Sequence, residues 1–213
     1  TSMSRTFSTS LIQREVCQQN GQVVSNQKVT CSVMAPSVAK LQIWVAWISM
    51  KTNLSRIDAQ ARAALIADVH YDIHLDITGE DIFTSTTTVR FTSTQGETFF
   101  DLVADSFSAS LDGAELNGRD MVLEAGSHEL TVTATSAYSR TGEGLHKFTD
   151  PADGKDYLYT QFEPAYAMKV FACFDQPDIK ATYAISVTAP ERYVVVLNEK
   201  ATRSGNTWSC EIT

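Results

Sequence analysis

The sequence predicts a mainly β fold: an antiparallel β-sandwich or curved sheet with one short helix near the start of the ordered part. Two long segments, 68–78 and 82–92, alternate apolar with polar residues as half-buried strands do. Shorter segments of the same kind follow, and clusters of Gly, Asn and Asp at 112–118 and 204–206 separate them. There is no strand–helix alternation and no internal repeat, so a parallel α/β fold and a solenoid are both excluded.

The helix is predicted over residues 54–66. Asn53 or Ser55 can cap its N-terminus, and Ser55 and Asp58 have the spacing of a capping box. Four apolar residues then fall on one helical face: Ile57, Ala61, Ala64 and Leu65.

The strands are predicted in chain order. In the first, the odd positions from Val69 to Ile77 face one side of the sheet, and His70 and His74 lie on the other. Gly79-Glu80-Asp81 is a hairpin turn into the second strand. Further strands are predicted at 97–103, 107–112, 129–135, 156–161, 179–189, 193–198 and 207–213.

Composition and charge limit the function. The 213 residues suffice for one large or two small domains, and a net charge of −8 argues against nucleic acid as a partner, because phosphate attraction requires a basic face. The longest apolar stretch, Leu41–Met50, has about half the roughly 20 residues that span a bilayer, and no cleavage site follows it. We therefore expect neither a membrane helix nor membrane binding.

Four cysteines, Cys17, Cys31, Cys173 and Cys210, show neither a CxxC pair nor a metal-type spacing. Scattered thiols are typical of a reducing compartment, so we expect a cytoplasmic protein. A disulfide between Cys173 and Cys210 is the alternative.

Residues 1–49 differ from the rest because they show no sustained period and begin with Thr. We expect Met50 to be the true start and 1–49 to be a non-native leader, or else a disordered tail. The β domain then covers 50–213.

The segment 157–180, YLYTQFEPAYAMKVFACFDQPDIK, carries the candidate site. Gln161 and Glu163 are interleaved with aromatic residues that can fix the backbone, and two residues apart on a strand they would share a face. A carboxylate and an amide oxygen there suit a protonated amine. The alternative is that both simply belong to the solvent face of a strand.

The run YLYTQFEP followed by VFACFDQPDIKATY resembles the signature of the N-terminal domain of aminopeptidase N-type zinc peptidases (gluzincins), and the bacterial, actinobacterial members look most similar. Supporting matches are Asn53–Arg56, Tyr71–Asp76, Ser85–Phe91 and Tyr138–His146, so the resemblance covers about residues 51–213. It implies a saddle-like β domain that packs against a thermolysin-like catalytic domain.

The resemblance also implies site roles. Glu163 would bind the free α-ammonium group of a peptide substrate, and Gln161 would line the pocket for the first side chain. Two positions depart from the family pattern, because Tyr166 and Met168 stand where relatives often carry Asp and Arg, while Lys169 keeps one basic position.

No catalytic or metal-binding residue is expected in this chain. Zinc in this family needs H-E-x-x-H, and the sequence has only His70, His74, His128 and His146, none in that motif. His70 and His74 are roughly 13 Å apart along a strand, too far to share a metal.

We therefore expect a fragment of a zinc aminopeptidase, truncated before its catalytic domain and inactive alone. The alternatives are a stand-alone β-sandwich binding or adhesion module and the product of a broken gene.

Overall fold

The computed structural model describes residues 54–212, which form one α-helix, twelve strands and a short 3-10 helix. The helix α1 is Arg56–Leu65 and the 3-10 helix is Ala167–Lys169. The strands are β1 Ile66–Asp76, β2 Ile82–Ser93, β3 Gly96–Phe99, β4 Ser106–Leu111, β5 Ala114–Glu115, β6 Asp120–Leu123, β7 Gly126–Ala137, β8 Gly144–Thr149, β9 Asp156–Gln161, β10 Ala181–Thr188, β11 Thr202–Ser204 and β12 Thr207–Ile212. Within residues 54–212, no helix has the length and apolar character needed to cross a bilayer.

Eight strands form one sheet in the order β11-β12-β10-β1-β2-β7-β4-β5, and β3–β6 and β8–β9 form two small sheets. The mainly β fold with one helix is confirmed. One pair differs from the antiparallel prediction, because β1 and β10 run parallel from Val69↔Ala181 to Asp76↔Thr188. Only a short hairpin forces neighbouring strands to be antiparallel, and β10 returns to β1 after a long intervening chain.

The large sheet buries one face. In β2 the alternation is complete, with Phe83, Val89 and Phe91 at 2%, 0% and 2% exposure and the residues of the opposite face more exposed. Rings from the opposite layer pack on this face: Phe171 lies edge-on to Tyr71, with centroids 6.3 Å apart. The core therefore lies between the large sheet and a second layer that contains the small sheets and the segment 162–177.

The helix begins as the sequence predicts but packs differently. The Ser55 hydroxyl accepts a hydrogen bond from the Asp58 N–H at 3.2 Å and donates to its carboxylate at 2.8 Å, which confirms Ser55 as the N-cap. The predicted apolar face is not buried, since Ile57 is 79% exposed. The residue that α1 buries is Arg62, at 4% exposure.

Arg62 connects the helix to the second layer. Its Nε donates to the side-chain oxygen of Gln176 at 3.0 Å, and its Nη1 donates to the Asp101 carboxylate at 2.8 Å. The guanidinium carbon lies 4.9 Å from the centroid of the Phe99 ring. Gln176 in turn donates to the Ala59 carbonyl at 2.8 Å, so the helix is tied by both its side chain and its backbone.

Asp101 extends this network into the segment that carries the candidate site. Its carboxylate also accepts the backbone N–H of Asp175 at 2.9 Å, and its backbone pairs with Cys173 in an isolated antiparallel bridge. One buried ion pair thus fixes the position of the residues that follow the 3-10 helix.

Two sets of strand predictions failed. Residues 193–198 form no strand, although exposure alternates along them with a period of two. Among residues 54–212, the only hydrogen bond from a backbone N–H of 193–198 joins Tyr193 to the Pro190 carbonyl in a turn, so no described strand completes a ladder with this segment. Conversely, β5, β6, β8 and β11 were not predicted, because each is short or interrupts a turn-rich stretch. The predictions for residues 1–49 and for Asn53 lie outside the described residues.

A histidine links two turns at the far end of the sheet. His128 Nδ1 lies 2.7 Å from the Asp112 carboxylate and its Nε2 lies 2.9 Å from the Glu124 carbonyl. Burial disfavours the imidazolium, but these two acceptors outweigh it and raise the pKa of His128 above its usual value. Burial likewise opposes the charged form of Asp112, yet hydrogen bonds from the Glu129 N–H and from His128 lower the pKa of Asp112.

Replacing Arg62 by Met should lower the free energy of unfolding by about 3–5 kcal/mol, because Asp101 then stays buried without its counter-charge. Arg56→Met is the matched control on the exposed side of the same helix and should change it by less than about 0.5 kcal/mol. Urea unfolding measures both. Equal losses in the two variants would show that helix propensity, and not the ion pair, is responsible.

The His128–Asp112 pair should make stability depend on pH. The pKa of His128 is higher in the folded than in the unfolded protein. Its full contribution to the free energy of unfolding is therefore present below the unfolded pKa of about 6.5, and this contribution is lost as the pH rises through the folded pKa. The Asp112 contribution is present above about pH 3.9 and is lost as pH falls through its lowered folded pKa. His128→Asn should abolish the alkaline loss, about 0.5–1 kcal/mol for a partly screened pair, in unfolding curves from pH 6 to 9. An unchanged alkaline slope in this variant would contradict the assignment.

Candidate functional site

The candidate site lies at the end of the β8–β9 hairpin. The two strands pair antiparallel from Thr149↔Asp156 to Gly144↔Gln161, so Gln161 is the last paired residue of β9. Its side chain is exposed and, among residues 54–212, makes no hydrogen bond. The strand predicted at 156–161 is therefore confirmed, and it ends at the residue that was singled out.

Glu163 lies beyond the strand, in the turn that follows. This differs from the premise that Gln161 and Glu163 occupy one strand, because pairing stops at Gln161 and residues 163–166 form a turn. The intervening Phe162 packs edge-on against Phe171, with ring centroids 5.8 Å apart. The Glu163 carboxylate is exposed and has no hydrogen-bond or ion-pair partner within the described part of the chain.

The turn is held by backbone contacts on both sides. The Tyr166 N–H donates to the Phe162 carbonyl at 2.8 Å, and the 3-10 helix begins directly afterwards. In that helix, the Met168 carbonyl accepts from the Val103 N–H at 2.7 Å, and the Met168 N–H donates to the Asp175 carboxylate at 3.1 Å. The turn that presents Glu163 is thus fixed to the core.

Lys169 is the basic residue nearest to Glu163 in the sequence, but its ammonium group is already paired with another carboxylate. Its ammonium group forms an ion pair with Glu143, and it lies 4.7 Å from the centroid of the Tyr166 ring. The two departures from the family pattern, Tyr166 and Met168, therefore contribute a ring contact and a backbone contact in place of a charge pair. Glu143 was missed as a site residue, because a pair 26 positions apart leaves no signal in the sequence.

The outward face of the hairpin is aromatic. Tyr157 and Tyr159 are 49% and 51% exposed and lie on the same side of β9 as Gln161. The His146 ring lies 4.9 Å from the Tyr159 ring, and His146 Nδ1 accepts the Gly142 N–H at 3.0 Å. That bond places the ring proton of a neutral His146 on Nε2.

The described histidines do not form a metal site. His70 Nδ1 lies 2.6 Å from the Thr182 hydroxyl, and His74 Nδ1 lies 2.8 Å from the Ser186 hydroxyl. No group of three or more His, Cys, Asp or Glu side chains suited to a metal occurs within residues 54–212. The donor set of zinc chemistry is therefore not assembled by the described residues.

Cys173 and Cys210 are free thiols, so the disulfide alternative is wrong for this pair. Burial raises the pKa of the Cys173 thiol well above its usual value, as expected for a core thiol and not for a nucleophile. Burial also raises the pKa of the nearby Asp175 carboxyl, and the negative charge of Asp101 adds to the effect.

The candidate residues lie on an open surface. A groove of about 540 Å³ runs along the polar face of the large sheet beside Asp72, His74 and Glu211, and a second of about 260 Å³ lies beside Glu143 and Lys169. Neither Gln161 nor Glu163 lines either groove. A pocket around these two side chains would need walls from other polypeptide.

Comparison with known proteins gives consistent results. Residues 113–210 match a family model described as the Peptidase M1 N-terminal domain. Aminopeptidase N of Streptomyces lividans is 42% identical over 178 residues, which cover 76% of this chain and 21% of that protein. The probable M1 family aminopeptidase 1 of Encephalitozoon cuniculi is 30% identical over 175 residues, covering 72% of this chain and 19% of that protein. The chain spans about a fifth of the length of these curated relatives.

Among solved structures, native yeast LTA4 hydrolase is similar with a TM-score of 0.56 and 19% sequence identity, over 69% of this chain and 26% of that chain. At this identity the likeness concerns the fold alone.

Gly144 should be a sensitive position of the site. Its φ is +63°, and an added Cβ would lie 2.9 Å from the Lys169 Cβ, directly opposite Gln161. Gly144→Ala should lower the free energy of unfolding by about 1–3 kcal/mol beyond the backbone cost, because Lys169 must move. Gly154→Ala is the matched control, since its φ is +69° with open space around it, and should show only the backbone cost of about 1–2 kcal/mol. Thermal unfolding measures the difference, and equal effects would show that the Lys169 contact is unimportant.

Proposed function

Because this chain belongs to the Peptidase M1 N-terminal domain family, we propose that it is the substrate-anchoring domain of a zinc-dependent aminopeptidase that removes N-terminal amino acids from peptides. The relatives are named aminopeptidases, which supports the reaction class. The step to substrate anchoring depends on the residues at the end of β9.

The observation that carries this proposal is the state of the Glu163 carboxylate. It is exposed on a turn held by Phe162 and the 3-10 helix, and no cation within residues 54–212 neutralises it. Lys169, the basic residue six positions away, is paired with Glu143. A carboxylate without a counter-ion, carried on a turn whose backbone is held to the core, is available for a cation from outside the chain, and a peptide's α-ammonium group is such a cation.

The two candidate residues then have separate tasks. Glu163 accepts hydrogen bonds from the α-ammonium group and so restricts the enzyme to peptides with a free N-terminus. Gln161, whose amide both donates and accepts, lines the pocket of the first side chain. Once a second domain covers this open surface, the effective dielectric falls and the ion pair strengthens.

Hydrolysis is assigned to other polypeptide. The described residues do not fit a zinc site, since each described histidine contacts a hydroxyl, a carboxylate or the backbone, and no ligand cluster forms. We place the zinc, which would activate the attacking water when bound, in a thermolysin-like catalytic domain that packs beside Glu163. On this proposal the chain alone binds no zinc and is inactive.

The test is Glu163→Gln in the full-length enzyme. Loss of one charged hydrogen bond, worth about 1.5–3 kcal/mol, should lower kcat/KM for unblocked dipeptide substrates roughly 10- to 150-fold. Zinc content by atomic absorption should not change. Glu115→Gln, which alters an exposed acid far along the chain on β5, is the matched control and should keep wild-type kinetics.

A Glu163→Gln enzyme with wild-type kcat/KM would disprove the anchoring role. Loss of activity together with loss of zinc would also count against it, because the effect would then be on the metal site.

A further inference from the structure

The segment 193–197, Tyr-Val-Val-Val-Leu, has the side-chain arrangement of a strand. Tyr193, Val195 and Leu197 pack against the core, whereas Val194 and Val196 are 78% and 85% exposed. This period of two and the three successive valines are typical of a β-strand with one buried face.

The backbone of this segment is not paired. Within residues 54–212, no backbone hydrogen bond involves the N–H or carbonyl groups of Val194, Val195, Val196 or Leu197. Backbone groups of an ordered apolar segment are normally paired, and an open row of them is a template for another strand.

The neighbouring part of the large sheet is incompletely covered. Three residues on the core-facing side lie next to one another across the strands: Ile73, Ile185 and Cys210. They become less buried from the central strand β1 towards the edge of the sheet. Ile73 on β1 is 3% exposed, but Ile185 on β10 and Cys210 on β12 are only partly buried. The segment 193–197 belongs to the connection between β10 and β11, at this same edge of the sheet. Both features therefore point to a missing apolar element in the second layer.

We propose that residues 193–197 are a docking edge for an apolar β-strand supplied by the remaining polypeptide of the parent protein. Main-chain hydrogen bonds to 193–197 would give the pairing, and alternate apolar side chains of the incoming strand would cover Ile185 and Cys210. The parent polypeptide is the source because the curated relatives are about five times as long as the matched region. This inference rests on the proposal that the chain is one domain of a longer peptidase.

Hydrogen–deuterium exchange of the full-length protein tests the pairing. Amides of 194–197 should exchange about 100-fold more slowly than those of the adjacent loop 198–200, which serves as the internal reference. Exchange at 194–197 as fast as in the loop would overturn the proposal. So would protection that disappears on tenfold dilution, since the partner would then be a second copy of the chain.

A pair of valine variants gives an independent test. Val196 is 85% exposed and Val122 on β6 is 72% exposed, so the described residues alone predict equally small effects of an Asp at either position. If a strand pairs beside Val196, Val196→Asp in the full-length protein should lower Tm by several degrees while Val122→Asp changes it by about one degree or less. A Val196→Asp effect no larger than that of Val122→Asp would count against the docking strand.

Neither readout depends on peptidase activity. Glu163→Gln should leave the exchange of 194–197 unchanged, so failure of the anchoring role and failure of the docking strand are distinguished in the same protein.

Discussion

The buried guanidinium of Arg62 contacts three parts of the chain at once: the end of β3, Asp101 and the segment after the 3-10 helix. It pairs with Asp101 after β3, bonds Gln176 after the 3-10 helix, and stacks near Phe99 and Phe174. A buried charge is stable only when it is paired and its hydrogen bonds are satisfied, so these positions cannot shift independently. The helix is consequently held by polar contacts, which explains why its apolar residue Ile57 is left exposed.

The candidate site differs from this ion pair, because its carboxylate has no partner among the described residues. Three other acids of the second layer have internal partners: Asp101 bonds Arg62, Glu143 bonds Lys169, and Asp175 accepts the Met168 N–H. Glu163 has none within the described residues and is presented on a turn that the core holds. Such a carboxylate can accept a cation without first breaking an ion pair within the described residues.

Much of this arrangement could be predicted from the sequence, and the limits have physical causes. Alternation along 68–78 and 82–92 predicted β1 and β2 because burial of one sheet face dictates a period of two. Local signals also located Gln161 at the end of β9 and the helix N-cap at Ser55. The Arg62–Asp101 pair and the Glu143–Lys169 pair join residues far apart in sequence, and no local pattern encodes them. The parallel pairing of β1 with β10 is a matter of topology, which strand propensity does not specify. The strand prediction at 193–198 failed for a different reason. The side chains alternate in exposure as in a strand, but a β-strand also requires a hydrogen-bonded neighbour, and none lies beside this segment within residues 54–212.

The parallel register of β1 and β10 also bears on how the polypeptide is made. Roughly a hundred residues separate the end of β1 from the start of β10. At translation rates of about 5–20 residues per second, β1 leaves the ribosome roughly 5–20 s before the strand that completes its second edge. During that interval β1, with Tyr71, Ile73 and Leu75, is an unpaired edge strand. An exposed edge strand of this kind is prone to pair with other chains. Chaperone demand and temperature sensitivity during synthesis should therefore be governed by this central strand, although it is among the most deeply buried in the finished fold.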